Sequence, residues 1–236
     1  MAAQINLYTF IFAALAGVLP ALLWLWFWLH EDKKYPEPKR LIAKAFLAGM
    51  IAVPLVIPFE KIAFIYFQGS TAALFLSWAT IEEILKFAAC YFAVFHKKDF
   101  DEPMDAVIYF ITAALGFVAL ENALFLLSPI QEAGFLGAVI TGNLRFVGAS
   151  LLHTIASATI GVFLAFSFYK KPQVRRNYIV FGLLTAIVLH TVFNLFIIDS
   201  NGENTLIVFS VLWLLIAALM LFFEKIKSLA PLNNIQ

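Results

Sequence analysis

The sequence predicts an all-α, polytopic bundle of about seven membrane-spanning helices. Hydrophobic residues make up 63% of the 236 residues, whereas soluble domains contain roughly 45–50% apolar residues. The mean hydropathy is +0.91. Apolar stretches close to the roughly 20 residues that cross a bilayer recur along the chain, with short connections between them. We therefore predict one integral-membrane domain over 1–236, embedded in the lipid bilayer, with its motif-bearing core at 71–198.

The apolar stretches define the individual elements. They predict helices at 5–29, 41–59, 71–95, 105–127, 145–169, 178–198 and 205–223. The first stretch is longer than the roughly 7–15 residues of a signal-peptide core, so we expect it to be a membrane helix. The stretch 133–144 is too short and too rich in glycine for a separate crossing, and we expect an interfacial or re-entrant piece there.

Basic residues predict the orientation of these helices. Lysine and arginine concentrate in alternate connections, namely 30–44, 97–98, 170–176 and the tail after 223, while the opposite connections hold only Lys61. Since basic loops stay in the cytoplasm, we predict an outside N-terminus and a cytoplasmic C-terminus in a cell membrane. The net charge of +1 gives no indication of a nucleic-acid partner.

Charged residues interrupt the apolar helices in a way that predicts a function. The third helix contains SWATIEEILKFAAC at 77–90, with Glu82, Glu83 and Lys86 near its middle. Each such charge costs roughly 2.5–3.5 kcal/mol at the centre of a membrane helix. Other polar residues lie within or at the start of predicted spans: Glu121, Asn122, Arg145, His153, His190 and Asn194.

These polar residues are predicted to share one depth. At about 1.5 Å per residue, Glu82 lies ~17 Å from the outer end of its helix, Glu121 ~9 Å, and both histidines ~12 Å. Four helices therefore bring acids and imidazoles to one layer in the outer half of the bilayer. For the supporting residues simpler roles stay open: Lys86 as a neutralising partner of the acids, Arg145 as a headgroup contact, and the two asparagines as interhelical hydrogen-bonding groups.

Carboxylates and imidazoles without thiolates are the ligands of catalytic zinc sites. Zinc lowers the pKa of its water toward ~7. A metal-free scheme uses the same residues: a buried glutamate accepts a proton from water while histidine and asparagine donate hydrogen bonds to the oxyanion. Both schemes hydrolyse an amide bond. The chain contains no HExxH motif, no GxSxG motif and no facing pair of intramembrane aspartates.

An ordered set of motifs carries a family resemblance. The set is Glu82-Glu83-x-x-Lys86, Asp105 with Tyr109, Gly116-Phe117-x-x-x-Glu121-Asn122, Arg145 with His153 and Gly161, and His190-x-x-x-Asn194. Together these motifs resemble the PrsW family of bacterial intramembrane proteases, which are distant relatives of the CAAX prenyl proteases.

The resemblance implies cleavage of a single-span membrane protein, such as an anti-sigma factor, in the bacterial plasma membrane. It implies that Glu82 and Glu83 are catalytic acids and that Asn194 stabilises the oxyanion. It further implies that Glu121, His153 and His190 bind a metal, with zinc as the hypothesis, or position water.

Two other functions compete with proteolysis. Intramembrane glutamates and histidines also form proton relays, which makes a proton- or cation-coupled transporter the alternative prediction. Against it, the two halves of the chain show no inverted repeat. A non-catalytic membrane scaffold would leave the buried carboxylates unexplained.

Overall fold

The computed structural model describes residues 7–33, 36–196 and 205–229, and within these ranges all side chains except those of 129, 131–147 and 205. The described residues form helices and short connections. The helices are α1 (Leu7–Glu31), α2 (Lys39–Phe67), α3 (Thr71–Val94), α4 (Pro103–Phe166), α5 (Pro172–Asn194) and α6 (Thr205–Lys227). The prediction of an all-α bundle is confirmed.

Helix α4 consists of two antiparallel arms. Its 64 residues would extend roughly 96 Å in a straight helix, yet the rings of Phe117 and His153 lie 5.5 Å apart. Gly161 likewise packs against the backbone of Val107. The chain must therefore reverse direction between the first arm, Pro103–Ser128, and the second arm, Gly148–Phe166.

The two arms correspond to the predicted helices at 105–127 and 145–169. The stretch 133–144 falls between them, in helical backbone whose side chains lie outside the described residues.

In the part of the chain that the structure describes, six helical segments are long and apolar enough to cross a membrane: α1, α2, both arms of α4, α5 and α6. This confirms a multi-pass membrane protein. Helix α3 has 24 residues and is also long enough, but it carries Glu82, Glu83 and Lys86 in its middle. Its crossing, and the outside position of the N-terminus, stay predictions.

Helix α4 forms the centre of the bundle, since the other five helices all pack against it. Its first arm is almost completely buried between Met104 and Ala119. At the crossing of α2 and α4, a Cβ atom added to Gly116 would lie 1.9 Å from the carbonyl oxygen of Phe46, and one added to Gly49 would lie 1.9 Å from that of Ala113. Glycine therefore lets the two backbones touch, as in other tightly packed membrane helices.

The start of α4 is fixed by its own sequence. Pro103 occupies the first turn, where a missing backbone N–H costs nothing. The carboxylate of Asp105 accepts hydrogen bonds from the backbone N–H groups of Asp101 and Glu102 at 2.7 and 2.9 Å. An acid in the first turn also suits the helix dipole.

Candidate active site

Acids and imidazoles from α3, both arms of α4 and α5 meet inside the bundle. Glu82, His153 and His190 are all buried. Each offers one ligand atom, and these three atoms lie within 4.8 Å of one another. The rings of the two histidines meet edge to face, with centroids 5.0 Å apart. The structure thus brings together three groups that lie 71 and 37 residues apart in the sequence.

Lys86 neutralises the acids of its own helix. Its Nζ atom lies 2.6 Å from Glu83 Oε1 and 3.3 Å from Glu82 Oε2. The same atom lies 2.7 Å from His153 Nδ1 and 4.6 Å from the centre of the Phe117 ring. The lysine side chain is completely buried, and among the described residues its charge is compensated within this cluster.

Glu83 uses both carboxylate oxygens for contacts inside the protein. Its Oε1 contacts Lys86 and lies 2.9 Å from His190 Nδ1, and its Oε2 accepts a hydrogen bond from Ser157 Oγ at 3.2 Å. If Nδ1 of neutral His190 donates to Glu83, the Nε2 atom keeps its lone pair. That Nε2 lies 4.0 Å from Glu82 Oε2, so it faces the cluster as a possible metal ligand.

His153 has the same kind of arrangement with a different acid. Its Nε2 lies 3.2 Å from Glu121 Oε2, and its Nδ1 lies 3.8 Å from Glu82 Oε2. When a histidine binds a metal through one ring nitrogen, a carboxylate that accepts a hydrogen bond from the other, outer nitrogen fixes the orientation of the ring. The carboxylate grouped with the two histidines is therefore Glu82, whereas Glu121, which the sequence analysis placed among the metal ligands, contacts His153 from outside the group.

A cavity of about 230 Å³ lies beside this cluster. Apolar side chains of α2 and α4 form most of its wall, and three carboxylic acids line it: Glu60, Glu82 and Glu121. Water that enters this cavity meets acids from three different helices.

Glu60 lines the candidate site, although the sequence did not predict it there. The predicted second helix ended at 59, which left Glu60 in a connection. In the structure α2 continues to Phe67, so Glu60 lies within the helix and faces Glu82 and Glu121. The signal was present in the apolar residues that follow it, IAFIYF at 62–67.

The other predicted site residues lie around the cluster. Asn122 is buried next to Glu121. Asn194 is the last residue of α5 and half-buried, and its side chain makes no hydrogen bond to the described site residues. The side chain of Arg145 lies outside the described residues. Cys90 is buried as a free thiol.

The bundle places buried carboxylates and imidazoles next to a cavity, within helices of membrane length. These are the functional groups needed to activate water inside a bilayer. Fold and site together define the class of intramembrane hydrolases.

Comparison with known proteins identifies the family within this class. Residues 37–221 match the sequence model of the PrsW family intramembrane metalloproteases, and the chain therefore belongs to the PrsW family. It is similar to Protease PrsW of Geobacillus kaustophilus (strain HTA426), with 30% identity over 187 residues that cover 76% of each chain. It is 28% identical over 187 residues to Protease PrsW of Clostridioides difficile (strain 630), again covering 76% of each chain.

A third relative, Protease PrsW of Bacillus subtilis (strain 168), is 26% identical over 180 residues, which cover 74% of this chain and 78% of the relative. No solved structure matches the chain. The predicted family and enzyme class are confirmed: the protein is an intramembrane protease and a multi-pass protein of the bacterial cell membrane. The family is described as metalloproteases, and the buried Glu82, His153 and His190 could hold a metal ion.

Proposed function

We propose that this protease hydrolyses a peptide bond of a single-span membrane protein, of the anti-sigma-factor type, with zinc held by Glu82, His153 and His190. The observation that carries the proposal is the buried group of three ligand atoms within 4.8 Å of one another. Two imidazoles and one carboxylate form a known ligand set of catalytic zinc, which keeps a further position for water or substrate.

The surroundings of the three ligands fit a metal ion. Glu83 contacts the outer nitrogen of His190, and Glu121 contacts that of His153. Such partners hold metal-binding imidazoles in one tautomer and one orientation. When bound, zinc supplies a Lewis acid that polarises the scissile carbonyl and lowers the pKa of water toward ~7.

Lys86 is the cation that already contacts two of these ligands, Glu82 and His153. Its contact with Glu83, at 2.6 Å, is its shortest. Lys86 can therefore keep Glu83 as its counter-ion while Glu82 and His153 bind the metal. This pairing explains why Glu83, which the sequence analysis placed among the catalytic acids, acts in our proposal as a positioning residue.

Glu121 is the best placed proton acceptor. Its side chain keeps 26% of its surface exposed and lines the cavity beside Glu82. A carboxylate that reaches both the water-accessible space and a ligand histidine can accept a proton from the attacking water and deliver it to the leaving amine. Glu60 lines the same cavity and can hold a second proton. Asn194, one helical turn after His190, stays our candidate for stabilising the oxyanion.

The cavity wall supports a substrate that arrives from the bilayer. Ile57, Leu124 and Phe125 line the cavity and are also exposed on the outside of the bundle. In a membrane this outside faces lipid, so a transmembrane segment can approach the acids laterally. The part of the substrate that unwinds for cleavage is tolerated at this depth, because groups of the protease can form hydrogen bonds with its exposed backbone.

The test combines metal content with cleavage. Purified wild-type protein should contain about one zinc per chain, and Glu82→Gln and His190→Ala should lose it. In proteoliposomes with a single-span reporter, both variants should cleave about a hundredfold more slowly or worse. His30→Ala is the matched control because this histidine is exposed and stacks on Trp26; it should keep both zinc and cleavage.

Near-normal cleavage by Glu82→Gln would overturn the proposed role of Glu82. Wild-type protein that cleaves without any bound metal would favour the metal-free glutamate scheme. The transporter alternative predicts ion-driven uptake without cleavage, and it receives no support from the relatives, which are named proteases.

A further inference from the structure

A second group of acids lies at the opposite end of the bundle. Asp32 and Glu37 belong to the connection between α1 and α2, and Glu102 directly precedes α4. One carboxylate oxygen from each lies within 4.8 Å of the other two. From Asp105, beside this acid cluster, to Glu121 the first arm of α4 extends roughly 24 Å. The proposed proteolytic mechanism does not use these residues.

Asp32 is the buried member of the acid cluster. Only 5% of its surface is exposed, and among the described residues its Oδ2 atom has no hydrogen-bond partner. A buried carboxylate oxygen without a partner costs several kcal/mol unless a positive group compensates it. The structure therefore places an unpartnered oxygen within a group of three acids.

Among the described residues no lysine or arginine forms an ion pair with the acid cluster, although Lys39 lines a cavity together with Asp32 and Glu37. Lys227 is close enough to act on Asp32, but its Nζ contacts Glu224 at 2.7 Å and Glu31 at 3.9 Å. Lys33 is exposed and lines the adjacent cavity. On the negative side, Asp105 faces Glu37, and Tyr109 donates a hydrogen bond to Glu37 Oε2.

Burial and neighbouring acids raise the pKa of all three members of the acid cluster. Burial, together with Glu102 and Asp105, raises the pKa of Asp32 to about 7 although Lys227 opposes the shift. Burial and the neighbouring Asp105 raise the pKa of Glu37 to about 9. Burial and nearby aspartates also raise the pKa of Glu102. A divalent cation would offset the negative charge that burial makes costly at this place.

We propose that Asp32, Glu37 and Glu102 bind one hard divalent cation, Ca²⁺ or Mg²⁺, that ties the α1–α2 connection to the start of α4. The ligands are oxygens only, which favours these ions over zinc or copper. Oxygens up to 4.8 Å apart fit around a calcium ion with bonds of about 2.3–2.6 Å. A cavity of about 610 Å³, lined by Asp32, Glu102 and Tyr169, gives room for the water molecules that complete its shell.

The bound cation has a structural role in this proposal. It joins two connections that are far apart in sequence, so binding to the folded state raises stability by mass action. The proposed zinc ligands Glu82, His153 and His190 lie toward the far end of the first arm of α4, so the two sites are separate.

The test uses the full-length protein in detergent after treatment with EDTA. Adding Ca²⁺ or Mg²⁺ up to about 1 mM, the range of weaker calcium sites, should raise the unfolding temperature of the wild type in a saturable way. Asp32→Asn and Glu102→Gln should abolish this rise. Glu224→Gln is the matched control, because Glu224 lines the same cavity but is 69% exposed and outside the acid cluster; it should keep the rise.

Two further readouts separate cation binding from a simple loss of structure. In EDTA, Asp32→Asn should unfold at a temperature equal to or above that of the wild type, because it removes an uncompensated carboxylate. His190→Ala should keep the full response to Ca²⁺ or Mg²⁺, which would show that the active-site metal is not responsible. If Asp32→Asn does not fold, Glu102→Gln decides.

The proposal is overturned if neither cation raises the unfolding temperature of the wild type. It is also overturned if both acid-cluster variants respond as strongly as Glu224→Gln. Whether Ca²⁺ or Mg²⁺ acts at the lower concentration identifies the ion that the site prefers.

Discussion

The contact between α2 and α4 at Gly116 predicts a strong effect of the smallest possible substitution. In Gly116→Ala the new Cβ atom would lie 1.9 Å from the carbonyl oxygen of Phe46, whereas real Cβ atoms stay at least 3.0 Å from such atoms. Helix α2 must therefore move away from α4 by about 1 Å or more. Overpacking of this kind typically costs about 1–3 kcal/mol.

The shift also reaches the active site. Gly116 lies five residues before Glu121 on α4, and α2 carries Glu60 on the other side of the cavity. A misplacement of about 1 Å can lower a catalytic rate on the order of a hundredfold. We therefore expect Gly116→Ala to retain zinc, to unfold at a lower temperature and to cleave a single-span reporter in proteoliposomes much more slowly.

The control is Gly69→Ala, since an added Cβ atom there meets nothing within 4 Å. It should match the wild type in unfolding temperature and cleavage. Gly49→Ala should resemble Gly116→Ala because its Cβ would meet the Ala113 carbonyl oxygen at 1.9 Å. Wild-type stability and cleavage in Gly116→Ala would refute the inferred backbone contact.

Three further predictions concern the acids and their partners. Glu60→Gln should keep zinc but slow cleavage by about tenfold or more, as mutations of residues next to metal ligands do in other metalloenzymes. An unchanged cleavage rate would show that Glu60 takes no part in the reaction. Lys86→Met should cost about 3–5 kcal/mol in unfolding free energy, because the buried Glu83 loses its cation, and adding Glu83→Gln should restore part of it. In EDTA, stability should fall as the pH rises from about 4 to about 7, because folded Asp32, with its pKa raised from 3.8 to about 7, holds its proton more tightly than the unfolded chain does. Asp32→Asn should make stability less dependent on pH. If the stability of the variant falls with pH as steeply as that of the wild type, Asp32 is not the cause.

Much of the fold could be predicted because a membrane imposes simple rules on a chain. Helices must be about 20 apolar residues long to span lipid, and all backbone groups must bond within them. These rules located the helices and both arms of α4. They failed at Glu60, where one charged residue suggested a helix end although apolar residues continue to Phe67.

Most members of the candidate site could be proposed from the sequence, but Glu60 and the arrangement of the side chains could not. A charge inside lipid is costly, so Glu82, Glu83, Glu121, His153 and His190 were recognisable from the sequence, and helical rise gave their common depth. The depth of a residue in the membrane does not show how its helix is rotated about its axis, and so does not show which side chains face each other. Only the packed structure groups Glu82 with the two histidines and places Glu83 and Glu121 behind them.

The sequence by itself determined the class of protein, the helices and the residues available for chemistry, because each of these follows from the cost of placing polar groups in lipid. Only the tertiary structure decided which acid faces which imidazole, that Glu60 shares their cavity, and that Asp32, Glu37 and Glu102 meet at the opposite end. The physical reason is that these contacts join residues far apart in the chain, and helix packing sets their distances.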